Sequence, residues 1–282
     1  MTDPSVVNTA QADCWNGATG HTWAELQALT DMQLQPLGGE AMRALEPKPG
    51  ERVLDIGCGS GETSLELAAA VAPGGSVLGV DISETLLGLA RTRAEGRGLP
   101  VGFLAADAQT TDFGGERFDA AFSRFGVMFF SDPAAAFANI GAALKPGGRL
   151  AFVCWAPIGR NPVMRTAIEA AAPLIPPLEP SDPLAPGPFA FADPERVRTI
   201  LGTAGYADVH IRLFETLVGG WTLDQAMIVA QRIGPLGSVL RQNPDLRPTV
   251  IEAVAAALAR NQGADGRVRL GAAVWIVTAR KA

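Results

Sequence analysis

The chain predicts an α/β fold built on a parallel sheet, and three observations predict it. Between Glu51 and Trp155 short β-like runs alternate with helix-like stretches. The first run, "VLDIG", feeds a loop of alternating glycines. The 282 residues suffice for one large α/β domain, or for one domain with an accessory lobe.

In chain order, strands are expected at 52–56, 76–81, 101–105, 118–123 and 149–155. The helix at 63–71 carries Leu65, Leu67, Ala68 and Val71 on one face, and Pro73-Gly74-Gly75 stops it. Ser83 is the expected N-cap of the next helix, whose Leu86, Leu87, Leu89 and Ala90 form a stripe to bury on the sheet. A helix at 133–144 starts with Pro133 in the first turn, where no N–H is needed, and "KPGG" at 145–148 turns the chain into the fifth strand. Upstream, residues 23–37 carry Trp23, Leu26, Leu29, Met32 and Leu37 at near-helical spacing.

Downstream, residues 173–194 hold eight prolines, too many for a helix or a central strand. Leu174, Ile175, Leu178, Phe189 and Phe191 make this segment too apolar for a disordered linker, so an ordered surface loop or lid is expected. A helix at 194–203, a strand at 207–214, one or two helices from 222 to about 260 and a last strand at 273–279 complete the chain. The organisation expected is an N-terminal helical lid (1–46), a ligand-binding core (47–160), and a remainder (161–282) in which the proline-rich loop and a helical insertion form a substrate cap.

Composition narrows the partners. The formal charge is −6 and no basic tract occurs, which argues against nucleic acid. "MTDPSVVNTA" lacks the basic and apolar regions of a signal peptide, and no stretch of 18 apolar residues follows, so a cytoplasmic protein without a membrane span is expected. Cys14, Cys58 and Cys154 include no C-x-x-C pair, and only His21 and His210 could join them, so no metal site is expected.

The glycine loop carries the chemistry. In "VLDIGCGSG" a strand ends in Gly57, Gly59 and Gly61, where a Cβ would block the turn and the close approach of a ligand. A P-loop is excluded, because no Gly-Lys-Ser/Thr follows. The dinucleotide fingerprint G-x-G-x-x-G does not fit the strict alternation, and Asp55 stands two residues before the first glycine.

This pattern resembles motif I of the class I S-adenosylmethionine (SAM) dependent methyltransferases. "VLGVDIS" ending in Asp81, "FLAADAQ" with Asp107 and Ala108, "FDAAFSRFGVMFF" and "LKPGGRLAF" follow in the family's order over about residues 50–155. Within the family the chain looks most like the bacterial small-molecule branch related to quinone-biosynthesis methyltransferases. The resemblance implies a Rossmann-like seven-stranded sheet of order 3-2-1-4-5-7-6 with the last strand antiparallel. It implies SAM as cofactor, S-adenosylhomocysteine as product and no metal.

Carried over to this sequence, Gly57, Cys58 and Gly59 would offer backbone to the methionine part, and Asp55 would orient the loop or the ligand's amine. Asp81 would hold the ribose, and Ile82 with Leu86 would sandwich the adenine. Asp107 would accept from the adenine amine while the Ala108 N–H donates to the ring. Ser123 would lie near the reactive methyl. "CWNGATGHTW" resembles this branch's lid, so Trp15 and Trp23 would close over the sulfonium, where an aromatic face attracts a cation.

Residues after the carboxyl ends of the strands are expected at the ligand edge of an open α/β sheet. On that ground Arg124, Phe125, Met128 and Trp155, with Phe189 and Trp221 from the cap, are expected to meet the methyl acceptor. His21 is the candidate catalytic base, its alternative being an exposed lid residue; His210 reads as structural and Cys58 as a small filler of the loop. The expected reaction is in-line methyl transfer to a small, partly apolar acceptor. Rival readings are a SAM-binding sensor without transfer activity and, from the shared strand–glycine loop plan, a nicotinamide-dependent dehydrogenase. The sequence is silent on the acceptor; a homodimer is the expectation carried for the assembly.

Overall fold

The structure is a computed structural model that describes residues 7–113, 118–178 and 182–282. The first six residues of the expected lid and residues 179–181 of the proline-rich loop lie outside the described residues.

Three N-terminal helices, α1 (Thr9–Asn16), α2 (Ala18–Glu25) and α3 (Gln27–Leu45), precede the sheet. The alternating core follows as β1 (Arg52–Ile56), α4 (Glu62–Val71), β2 (Ser76–Asp81), α5 (Glu84–Ala94), β3 (Val101–Ala105), β4 (Phe118–Arg124), α6 (Pro133–Ala143) and β5 (Leu144–Trp155). Then come α7 (Pro162–Ala171), α8 (Pro194–Thr203), β6 (Tyr206–Trp221), α9 (Leu223–Arg232), α10 (Gly234–Gln242), α11 (Arg247–Ala259) and β7 (Val268–Lys281). The sheet order is β3-β2-β1-β4-β5-β7-β6, with β7 antiparallel to both β5 and β6. This is the order the resemblance implies.

Local signals account for most boundaries. Ser83 accepts a hydrogen bond from the Leu86 N–H as the N-cap of α5, and Asp132 caps α6 by accepting from Ala135. Thr222 and Gln225 close a reciprocal capping box at the start of α9. Right-handed crossovers send α4 and α5 to one face and α6 to the other, so the order reverses between β1 and β4. Ligands bind at such a reversal.

Several elements differ from the sequence reading. The helix expected at 23–37 is split at the buried Leu26 into α2 and α3. Strand β6 runs 16 residues, twice the expected length, because β7 pairs with it nearly end to end, with register shifts at Ala207/His210 and Gly219/Trp221. The insertion holds three helices, and α7 was not expected at all. β5 begins at Leu144, so "KPGG" opens the strand, with Gly147 at φ +70.

The main core fills both faces of the sheet. Phe137 of α6 sits 5.5 Å from Phe152 and 6.2 Å from Phe191, ring centre to ring centre, tying α6, β5 and the end of the proline-rich loop together. Truncating such a fully buried ring costs about 3–5 kcal/mol. A second core joins α7, α9, α10 and α11 to the ends of β6 and β7 through Trp221, Leu236, Leu240, Val250 and Leu270.

Candidate functional site

The β1–α4 loop is shaped by glycine. Gly57 lies at φ +65, and a Cβ there would stand 2.7 Å from the Gly126 Cα; a Cβ on Gly126 would stand 2.8 Å from the Gly57 Cα. The loops after β1 and β4 thus touch backbone to backbone, and only glycine at both positions permits it. Gly59 faces open space, its nearest neighbour being Leu86 Cδ1 at 3.9 Å. The Gly57 and Cys58 N–H groups both donate to the Val80 carbonyl, at 2.8 and 3.1 Å, and the Gly59 N–H donates to Asp81 Oδ2 at 2.7 Å. These donors therefore bind the loop to β2 instead of facing the cavity.

Beside this loop, at the β1/β4 reversal, lies a cavity of about 240 Å³. Its wall includes Gly57, Cys58, Gly59, Asp81, Ile82, Leu86, Asp107, Ala108, Arg124, Phe125, Met128 and Trp155, with Trp15 and Trp23 from the N-terminal helices. Most of the residues expected at the site are thus brought together. Asn8, Gln11, Asp31, Gln33 and Met164 join them without having been singled out from sequence, and Phe129, which follows the fourth strand, lines the wall too.

The acidic groups differ in environment. Asp55 is fully buried behind the loop, where Oδ2 accepts from Thr63 Oγ1 at 2.8 Å and Ser64 Oγ at 2.6 Å while Oδ1 has no partner. Burial lifts its carboxyl to about 6, against the opposing effect of the two hydroxyls and Arg124. It fixes the loop to α4 and does not line the cavity, so of its two expected roles, orienting the loop or the ligand's amine, the first is the one its partners serve. Asp81 does line it; burial raises its carboxyl, opposed by the Ser83 and Gly59 N–H groups.

Asp107 holds the N-terminal segment. Its carboxylate accepts from the Val7 N–H at 3.1 Å, the Asn8 N–H at 3.0 Å, Asn8 Nδ2 at 2.9 Å to both oxygens, and the Gln109 N–H at 3.0 Å. The carboxylate assigned by resemblance to an adenine amine is therefore occupied by a strap from the lid. Asn16 ties the same strap to the β2–α5 turn, donating to the Ile82 carbonyl at 3.0 Å and accepting from the Glu84 N–H at 2.9 Å. Ser83 Oγ donates to the Trp15 carbonyl at 2.7 Å.

The remaining wall is aromatic. Trp15 meets Trp23 and Phe129 edge to face at 5.7 and 5.6 Å. Phe125 stacks on Trp155 at 4.5 Å, and does so from φ +63, a conformation a non-glycine residue keeps only where its surroundings enforce it. Arg124 donates to Asp31 Oδ1 at 2.9 Å, Arg93 lies 3.2 Å from Asp31 Oδ2, and Arg93 also pairs with Glu62. Arg124 lines the cavity and its guanidinium is anchored to α3 through Asp31.

Besides Asp55, four expected residues stand off the cavity wall. His21 is exposed on the outer side of α2, which removes the ground for it as a base. Ser123 is fully buried, donating to the Ile56 carbonyl at 2.8 Å and accepting from the Gly126 N–H at 3.1 Å, so it braces the two glycine loops. Phe189 packs on the main core. Trp221 lies in the second core and lines a separate, smaller cavity. Cys58 Sγ is buried against Gly79, and burial holds its thiol well above the ordinary range, as a filler requires. His210 is exposed on β6.

Residues 53–148 match the family described as a methyltransferase domain. The chain is 34% identical over 178 residues to the demethylmenaquinone methyltransferase of Thermus thermophilus, an alignment covering 58% of this chain and 77% of that protein. The chain belongs to the class I SAM-dependent methyltransferases. It is also 36% identical over 142 residues to the aklanonic acid methyltransferase DauC of a Streptomyces strain, covering 50% of this chain and 64% of DauC. The fold is shared with YcgJ of Bacillus subtilis, with TM-score 0.56 and 19% identity over 88% of this chain and 98% of that one. Among the described residues no group of three or more His, Cys, Asp or Glu side chains could hold a metal, and no helix is long and apolar enough to cross a membrane.

Proposed function

We propose that this methyltransferase transfers the methyl group of SAM to a small, partly apolar molecule bound against the aromatic wall. The observation that carries the reading is the cavity itself: Asp81 and the Gly57–Gly59 loop stand on one side, and Trp15, Trp23, Phe125, Phe129 and Trp155 on the other. Polar recognition and an apolar enclosure thus share one cavity, as small-molecule sites require.

Bound SAM supplies an electrophilic methyl whose S–C bond breaks as the acceptor's lone pair forms the new bond, leaving S-adenosylhomocysteine and passing one positive charge to the acceptor. The chain's part is placement. Asp81 holds the ribose hydroxyls, Ile82 and Leu86 enclose the adenine, and Ala108 stands at the adenine edge, where Asn139 Nδ2 fixes its carbonyl at 3.0 Å. The aromatic faces of Trp15, Trp23 and Phe129 suit a cation. Alignment of this kind is worth up to about 7–11 kcal/mol in intramolecular models. Neither described histidine lines the cavity, and Asp31 is held between two arginines, so the reading favours an acceptor that ionises by itself near neutral pH, such as an acidic phenol or enol.

The test is titration of the purified protein with SAM, then incubation with methyl-labelled SAM and whole extract of the source cells, separated afterwards into small-molecule and macromolecular fractions. SAM binding that Asp81→Ala abolishes, with label entering an apolar product, is the expected result. Label appearing in protein or nucleic acid, or no SAM binding at all, would overturn it.

A further inference from the structure

We infer that the second cavity is a subsite for the apolar tail of the methyl acceptor, reached from the cofactor cavity through a partition made by Gln33, Met164 and Ile233. This rests on the proposed function and adds the shape of the acceptor to it. The observation is that these three residues line both cavities. One wall of the reaction chamber is thereby also the inner wall of a space of about 100 Å³ between α7, α9 and α10.

The chemistry of that space fits a hydrocarbon. Val163, Ile168, Val229, Ala230, Leu236 and Leu258 supply most of its surface, and Gln33 is the single amide. The Trp221 indole N–H donates to the Leu29 carbonyl at 3.2 Å, so the ring offers the cavity carbon only. A space so lined gives a water molecule few partners, and apolar cavities of similar size stay dry and accept hydrocarbon ligands. Met164, with three rotatable bonds, is the side chain in the partition best able to move aside. Gly234 and Pro235 line the cavity and are exposed, so a tail longer than the cavity has a way out to solvent.

The acceptor is then a molecule with a polar, methyl-accepting head against Phe125 and Trp155 and an apolar tail running between α7 and α9. The probe is a series of 4-n-alkylphenols from methyl to nonyl, titrated calorimetrically into the full chain. Affinity should rise about fourfold per methylene, the fold-change that ~0.8 kcal/mol corresponds to, and level off once the chain reaches Gly234 and Pro235. Ala230→Phe, which fills the cavity, should flatten that slope, with SAM titration as the check that the variant is folded.

A second readout stands without that variant. A nonylphenol brominated at its tail should quench fluorescence in the native chain, and Trp221→Phe should remove that quenching. Affinity independent of chain length, or quenching that Trp221→Phe leaves intact, would overturn the tail site even where SAM binds normally. Failure to bind SAM would instead overturn the function on which it rests.

Discussion

Replacing Asp55 by asparagine should stabilise the protein at neutral pH. The buried carboxyl titrates near 6 in the folded chain against an ordinary value of 3.8, because burial outweighs the hydrogen bonds from Thr63 and Ser64 and one oxygen has no partner. The folded state thus holds a proton that the unfolded state has lost between about pH 4 and pH 6, and stability falls as pH rises through that window. Above it the deficit is constant at about 3 kcal/mol, from ~1.4 kcal/mol per pH unit of displacement.

Asparagine imitates the protonated form: its carbonyl can accept from both hydroxyls, and its amide takes the place of the unpartnered oxygen. At pH 7.5 the variant should melt at least about 5 °C above the native chain, taking roughly 2 °C per kcal/mol for a protein of this size. At pH 4 the two should melt together. Differential scanning calorimetry from pH 4 to pH 8 reads both limits, and a variant equal to or less stable than the native chain at pH 7.5 would refute the account. SAM affinity should fall in the same variant, since the carboxylate's field acts on a cationic ligand.

Other expectations follow from the same geometry. Gly126→Ala should weaken SAM binding more than tenfold, because its Cβ would meet both the Gly57 Cα and the Ile56 carbonyl at 2.8 Å. Gly59→Ala, with open space around it but φ +53, should cost only the ~1–2 kcal/mol of a left-handed residue; isothermal titration separates them. Asp31→Ala leaves Arg124 without its carboxylate, in a pair whose side chains are only 11–12% exposed, and Arg93 with Glu62 alone; it should destabilise by about 3–5 kcal/mol in urea unfolding. Asp107→Ala should release the strap, seen as rapid proteolysis within residues 7–16 while the melting temperature of the core changes little.

The core was legible because its signals are local. Strand ends, the Ser83 cap and the alternating glycines are each written within a few residues, and the β1–β4 boundaries follow them closely. The α7 stripe of Val163, Ala167, Ile168 and Ala171 is just as local, but it lies between the fifth strand and the proline-rich segment and the sequence reading assigns it no element. The long pairing of β6 with β7 was not legible, since the length of a strand is set by its partner as much as by its own residues.

The site divides the same way. Gly57, Asp81 and Ala108 stand within motifs, whereas the Asn8–Asp107 clasp joins residues 99 apart and the Asp31–Arg124 pair residues 93 apart. A polar pair across such a separation leaves no periodic trace. His21 stands exposed and off the cavity wall, because sequence proximity to Trp15 and Trp23 says nothing about the face of the helix on which it stands.

The position of α3 bears on how the chain comes to be assembled. Helix α3 packs on β4, β5, β6 and β7, with Leu37, Ala41 and Leu45 buried there, and β6 pairs with β7 alone. On the ribosome this helix emerges before any of those strands, and its seat is complete only when the last strand has been made. Until then an apolar helix and a 16-residue strand edge wait for the same 14 residues. Synthesis halted before Val268 should therefore yield aggregates and no partly working enzyme, which makes the C-terminal strand the step that commits the whole molecule.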